Sequence, residues 1–186
     1  MADRLRHFRQ LAVRLGLRRF ARANDGAAAV EFAFVAIPFL LLVFGIIELG
    51  LIFLVSMTLE NAMVTVDRRI RTGELKSATA QEFTTAVCGQ MSWLEAGCSE
   101  AITLDVRVLP SFVNAKDLKR PTNGATCFDT GGPSSIMLVR GYYKWPLISP
   151  LMQQAMAGPS GDREVTFAAV FVNEPYSDKP EPIKCT

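Results

Sequence analysis

The sequence predicts an α+β fold: a long N-terminal transmembrane helix that continues into a small extracytoplasmic domain, built from a short helix and an antiparallel sheet of about three strands. Three observations predict it. Residues 27–57 form an almost unbroken apolar run, helical periodicity persists beyond that run, and three later segments carry strand patterns separated by stretches rich in Pro, Gly and Asn. The corresponding organisation is a basic cytoplasmic leader over 1–26, a transmembrane helix over 27–57, a helix extension and linker over 58–78, and an α+β domain over 79–186.

The leader carries Arg4, Arg6, Arg9, Arg14, Arg18, Arg19 and Arg22 against Asp3 and Asp25, a net charge of +5. Of the chain's 20 basic and 18 acidic side chains, that leaves 13 and 16 for residues 27–186, a net of −3. Basic charge confined to the leader argues against a nucleic-acid partner. Leu5, Phe8, Leu11, Ala12, Leu15 and Phe20 recur at helical spacing among the arginines, a pattern suited to an anionic membrane surface. A mitochondrial presequence shares this composition, but here the apolar run follows directly. Its basic flank sets the orientation, with the N-terminus in the cytoplasm and residues 58–186 outside.

The run from Ala27 to Met57 exceeds the ~20 residues that cross a bilayer core as a helix. It is also longer than the ~7–15 apolar residues of a cleaved secretory signal, and its small residues precede it. Glu31 and Glu48 are its only ionisable side chains. A carboxylate costs ~2.5–3.5 kcal/mol at the bilayer centre and less near the interface, so each calls for a partner, protonation or a tilt toward the interface. Glu48 is the deeper of the two and a candidate for partner contact. Pro38 removes one backbone hydrogen bond and is expected to bend the helix. Gly45 and Gly50 lack the four-residue spacing of a GxxxG pair.

Beyond the run, Leu59, Ala62, Met63, Val66 and Ile70 keep helical spacing while Glu60, Asp67, Arg68 and Arg71 occupy other faces. Arg68, Arg69 and Arg71 followed by Gly73 mark a helix C-terminus. A continuous helix from Ala27 to Thr72 would be about 69 Å long. Residues Thr79–Leu94 read as a second helix with Phe83, Val87, Met91 and Leu94 on one side. In Ile102–Leu109, Ile102, Leu104, Val106 and Val108 alternate with Thr103, Asp105 and Arg107, the period of a half-buried strand. Residues 110–134 read as a long loop, Ile136–Trp145 as a second strand, and Glu164–Val172 as a third. Pro146, Pro150, Gly158 and Pro159 punctuate a loop or short helical turn between the last two. Consecutive strands joined by loops favour an antiparallel sheet lying on the long helix.

All four cysteines, Cys88, Cys98, Cys127 and Cys185, fall on the side predicted to be outside. An even count in an oxidising compartment implies two disulfides with three possible connectivities. Cys88 with Cys98 closes a local loop and Cys127 with Cys185 ties the long loop to the tail, which is the preferred pairing. Zinc fails on spacing, since there is no CxxC pair and the one histidine, His7, is in the leader. For the same reason Ser-His and Cys-His catalysis are excluded from the domain. GATCFDTGG lacks the P-loop lysine and the dinucleotide spacing. Asp105, Asp129 and Glu164 are scattered. No enzyme, metal or cofactor is expected.

The pattern Gly26, Ala27-Ala28-Ala29-Val30, Glu31-Phe32, set between an Arg-rich leader and a long apolar helix, resembles the leader-peptidase site of type IV pilin-like proteins. More narrowly, GAAAVEFAFVAIPFLL together with FAAVFVNEPY resembles the TadE-like minor pseudopilins of tight-adherence (Flp-type) pilus systems. The likeness is strong at residues 26–57 and 165–176 and loose between. It implies a pilin-like fold, cutting after Gly26 by a membrane-embedded prepilin peptidase, and a mature chain beginning at Ala27 with Glu31 as its fifth residue. The new ammonium group of Ala27 and the Glu31 carboxylate would stand at i, i+4, the spacing that brings helix side chains together, so Glu31 can pair with its own or a neighbouring N-terminus.

The resemblance also implies a bacterial inner-membrane protein. Its expected partners are the prepilin peptidase, other pilins and pseudopilins, inner-membrane assembly proteins and the lipid bilayer. Asn173, Glu174, Pro175 and Tyr176 form the family's C-terminal signature; read from the residues alone, Pro175 ends the strand. Two function classes follow: a pseudopilin that assembles through its apolar helix, and an uncleaved single-pass envelope protein whose periplasmic domain binds a ligand or partner.

Overall fold

The computed structural model describes residues 25–112, 128–158 and 160–177. The leader's arginines and His7, Cys127, Cys185 and most of the 110–134 loop lie outside the described residues. Helix α1 runs over Asp25–Arg71 and continues through Pro38. Its end is set chemically: Arg68, Arg69 and Arg71 lie in the last turn, where cations suit the helix dipole. Gly73 then takes a positive φ of 79°, and the Thr72 and Gly73 N–H groups donate to the Arg68 and Ile70 carbonyls at 3.0 Å.

The chain divides into two units, Met1–Phe44 and Gly45–Thr186. Within the first, the described part of α1 exposes its side chains, with only Ala36 and Val43 half-buried. Within the second, α1 acquires a buried stripe: Gly45, Glu48, Val55, Leu59, Ala62, Met63, Val66, Asp67 and Ile70. These recur every three or four residues, the spacing that places side chains on one face of a helix.

After Arg71 come α2 (Ala80–Cys88), a 3₁₀ turn (Ser92–Leu94) and the single-turn α3 (Cys98–Ala101). Then follow β1 (Ile102–Leu109), β2 (Ile136–Pro146), α4 (Pro150–Met156) and β3 (Asp162–Val172). The fold is therefore α+β with one long apolar helix and a three-stranded antiparallel sheet, and the strand order, open from sequence, is β1-β2-β3. Thr79 opens α2 with a capping box: its hydroxyl accepts from the Glu82 N–H at 3.2 Å, and the Glu82 carboxylate accepts from the Thr79 N–H at 2.8 Å. The helix expected over Thr79–Leu94 stops early, at Cys88, because the chain turns through Gly89 and a positive φ of 51° at Ser92. All four apolar positions of that segment, Phe83, Val87, Met91 and Leu94, are still buried, the last two from the turns that follow the helix.

One face of the sheet presents Leu104 and Val106 of β1, Met137, Val139 and Tyr143 of β2, and Val165 of β3, which share a core with the α1 stripe and with Phe83, Val87 and Met91. Gly141, in the middle strand, allows α1 close approach: a Cβ there would lie 3.2 Å from the Met63 sulfur. The opposite face departs from simple alternation. Asp105 is fully buried, and it accepts from the guanidinium of Arg107 at 2.6 Å and from Arg140 Nε at 2.9 Å. Arg140 is its direct cross-strand neighbour on β2. Burial of this carboxylate is tolerable because both oxygens are paired.

Candidate assembly and membrane helix

α1 is the one helix among the described residues that is long and apolar enough to cross a membrane. Gly26, Ala27 and Glu31 lie exposed in its first turns. A Cβ on Gly26 would meet nothing within 4 Å. Glu31 follows Ala27 by one turn on the same face. Between Val30 and Phe44 the helix offers Phe32, Phe34, Val35, Phe39 and Phe44, each more than half exposed. Apolar surface of this extent marks a membrane or protein contact rather than a solvated face.

Glu48, the deeper carboxylate, has its partners within the chain. It is 3 % exposed, and its oxygens accept from the backbone N–H groups of Ile148 and Ser149 and from the Ser149 hydroxyl. Ser149 is the N-cap of α4, with its side chain turned to the Met152 N–H. The N-terminus of a helix leaves N–H groups without intrahelical acceptors, and the carboxylate supplies one across 100 residues of chain. Nothing in sequence spacing announces this pairing. The nearest signal was the carboxylate itself, since an ionisable group in an apolar helix demands a partner.

The tetrapeptide Asn173-Glu174-Pro175-Tyr176 is an internal clamp. Asn173 is buried; its side-chain amide donates to the Thr130 and Gly132 carbonyls at 3.0 and 3.1 Å, and its N–H donates to the Ser135 carbonyl at 2.9 Å. The Glu174 N–H donates to the Arg71 carbonyl at 2.9 Å, capping α1. Tyr176 lays its ring against Gly73, where a Cβ would come within 2.9 Å of Cδ1, and its hydroxyl donates to the Gly131 carbonyl at 3.4 Å. Thr130 closes the assembly by donating to the Lys76 carbonyl at 3.0 Å. The tetrapeptide thus ties the end of α1 to the turn that leads into β2. Pro175 follows the last residue of β3 by three positions, as a strand terminator should.

Alongside this clamp lies a groove of about 370 Å³ between α1 and β3, lined by Val64, Asp67, Arg68 and Arg71 on the helix and by Phe167, Ala169, Val170 and Phe171 on the strand. Asp67 is its anomaly. The side chain is 7 % exposed, its Oδ1 is buried without a hydrogen-bond partner, and burial pushes its carboxyl up to about 7. In the sequence it reads as a polar residue on an outward helix face. Its burial follows from the packing of β3 beside the helix.

Cys88 and Cys98 are joined by a disulfide; their expected counterparts, Cys127 and Cys185, lie outside the described residues. Trp93, inside the loop that this bridge closes, meets Trp145 of β2 edge to face at 5.8 Å.

Comparison with known proteins gives one family: the sequence model described as TadE-like protein matches residues 26–63. That segment covers the glycine step, both carboxylates, Pro38 and the start of the buried stripe. No curated protein and no solved structure matched the chain.

Proposed function

With this chain TadE-like over residues 26–63, and that likeness joining it to the tight-adherence pilus system, we propose that it is a minor pseudopilin that takes part in pilus assembly. In this reading the Arg-rich leader stays in the cytoplasm, α1 crosses the inner membrane and the α+β domain lies in the periplasm. A prepilin peptidase cuts after Gly26, and the helix beginning at Ala27 then packs with those of other pilins and pseudopilins. The domain works as a structural part, without catalysis, and inner-membrane assembly proteins receive it. The observation that carries the proposal is the coincidence of the family match with an exposed Gly26–Ala27 step and an exposed Glu31 one turn further on. In a bundle of such helices, the Glu31 carboxylate neutralises the Ala27 ammonium group of its own or an adjacent subunit, so two charges enter an apolar environment as a pair.

Complementation tests this. Removing the protein from a piliated strain should abolish or sharply reduce piliation, and the wild-type chain should restore it. Glu31→Ala should reach the membrane at normal levels yet fail to restore pili; full piliation by that variant would count against the carboxylate's role.

A second reading, an uncleaved single-pass protein whose domain binds a partner, is favoured by one observation, the groove holding the unpartnered Asp67 oxygen. It predicts an intact leader and no change in piliation on substitution of Glu31.

A further inference from the structure

Seventeen consecutive residues, 145–161, contain no charged side chain, and they include α4. Helix α4 is held against α1 at a defined height. Glu48 grips the Ile148 and Ser149 N–H groups, and Met152 Cε lies 3.5 Å from the point where a Cβ on Gly45 would be. Residues 45–48 sit about 13–18 Å along the helix from Met57, where the apolar run ends, at 1.5 Å of rise per residue. On the remaining sides of α1 at this height, Ile46, Ile47, Leu49 and Phe53 are exposed, as are Ile148, just ahead of α4 (74 %), and Leu151 within it (49 %). A charge-free apolar surface therefore runs from α1 to Ile148 and Leu151, beside the exposed Gln153 and Gln154 of α4.

Around α4 several polar groups are satisfied from within, while the Trp145 Nε1–H at the root of the segment is buried without a partner. Gln153 Nε2 donates to the Leu147 carbonyl at 2.7 Å, and the Ala157 N–H donates to the Gln153 carbonyl at 3.1 Å. Glu48 answers the N–H groups at the start. Backbone pairing of this kind is what a non-aqueous surrounding requires. The chain's only two tryptophans, Trp93 and Trp145, meet at the root of the segment, the residue type enriched at membrane–water interfaces.

We infer that residues 147–156 form a membrane footing: α4 lies in the headgroup–acyl boundary of the bilayer beside α1, with Ile148 and Leu151 contacting lipid and Glu48 holding the footing in place. Short apolar elements of this type bury to a depth of ~5–10 Å. The footing sets how far the domain stands from the bilayer, and it gives Glu48 a purpose independent of any partner subunit. This rests on the reading of α1 as membrane-spanning.

The experiment places an environment-sensitive fluorescent amino acid at position 148 of the full-length chain, in phosphatidylcholine–phosphatidylglycerol nanodiscs, with the same probe at Phe39 and at the exposed Glu174 as references. Quenching is measured with lipids carrying a nitroxide high on the acyl chain and with aqueous iodide. The expected result is severalfold stronger lipid quenching at 148 than at 174, iodide quenching reduced to match, and loss of both effects in Glu48→Ala with position 39 unchanged. Iodide access at 148 equal to that at 174, with position 39 shielded, overturns the footing while the span stands. Iodide access at 39 as well overturns both. Shielding of 148 from iodide without lipid quenching overturns lipid as the occupant in favour of protein, and unchanged quenching in Glu48→Ala overturns the holding role of that carboxylate.

Discussion

Replacing Asp67 with Asn should make the protein more stable in alkali and leave it nearly unchanged in acid. The carboxyl is pushed up to about 7 from an ordinary value of 3.8 by burial. Between those values the folded chain binds more protons than the unfolded one, so stability falls as pH rises through this window. Below about pH 4 both states are protonated and the burial has no ionic cost; above pH 7 the full penalty applies. A shift of about three units corresponds to on the order of 4 kcal/mol. Arg68 and Arg71 line the same groove, and their charge favours the carboxylate, so 4 kcal/mol is an upper figure. Asn has the shape of the protonated acid and does not titrate. Guanidinium unfolding of the full-length chain in detergent, followed by tryptophan fluorescence from pH 4 to 9, measures both proteins. The difference in stability, variant minus wild type, should be near zero at pH 4 and should grow to a plateau above pH 7. A difference independent of pH would refute the assignment of an unpaired, desolvated carboxylate to this site.

Three further substitutions probe the packing that positions α1. Gly73→Ala places a Cβ at a positive φ and within 2.9 Å of the Tyr176 ring; a loss of at least about 1–2 kcal/mol is expected from the left-handed backbone alone, and Tyr176→Ala in the same chain should relieve the steric part. Asp105→Ala removes the buried carboxylate that accepts from both Arg107 and Arg140 and should cost about 3–5 kcal/mol in the same unfolding assay. Joint replacement of Cys88 and Cys98 by Ser removes a cross-link between residues ten apart in sequence; loop-closure entropy puts the loss at about 3 kcal/mol, and a reductant should then have no further effect on that loop.

Much of the fold was legible because it rests on local periodicity. The stripe Leu59, Ala62, Met63, Val66, Ile70 is buried as its spacing implies, and the alternation in Ile102–Leu109 gives the first strand with the bounds that the sequence suggests. β2 and β3 extend the expected strands by one and two residues, to Pro146 and back to Asp162. The Cys88–Cys98 bridge was legible too, since it closes a short loop. What sequence could not supply were contacts between residues far apart in the chain. Glu48 reads as a carboxylate in search of a partner, but only folding brings Ile148 and Ser149 to it. Asp105 reads as one of several scattered acids on a polar face, yet the register that sets it opposite Arg140 makes it a buried ion pair. In Asn173-Glu174-Pro175-Tyr176 the residues alone announce only a strand terminator, whereas the clamp on Arg71 and Gly73 depends on β3 ending beside the C-terminus of α1.

The central claim is that α1 begins a processed chain, and the N-terminus of the protein recovered from cells tests it most directly. Sequencing from cells that contain the prepilin peptidase should read from Ala27, and from cells that lack it the leader should remain. An intact leader in peptidase-containing cells would contradict the account.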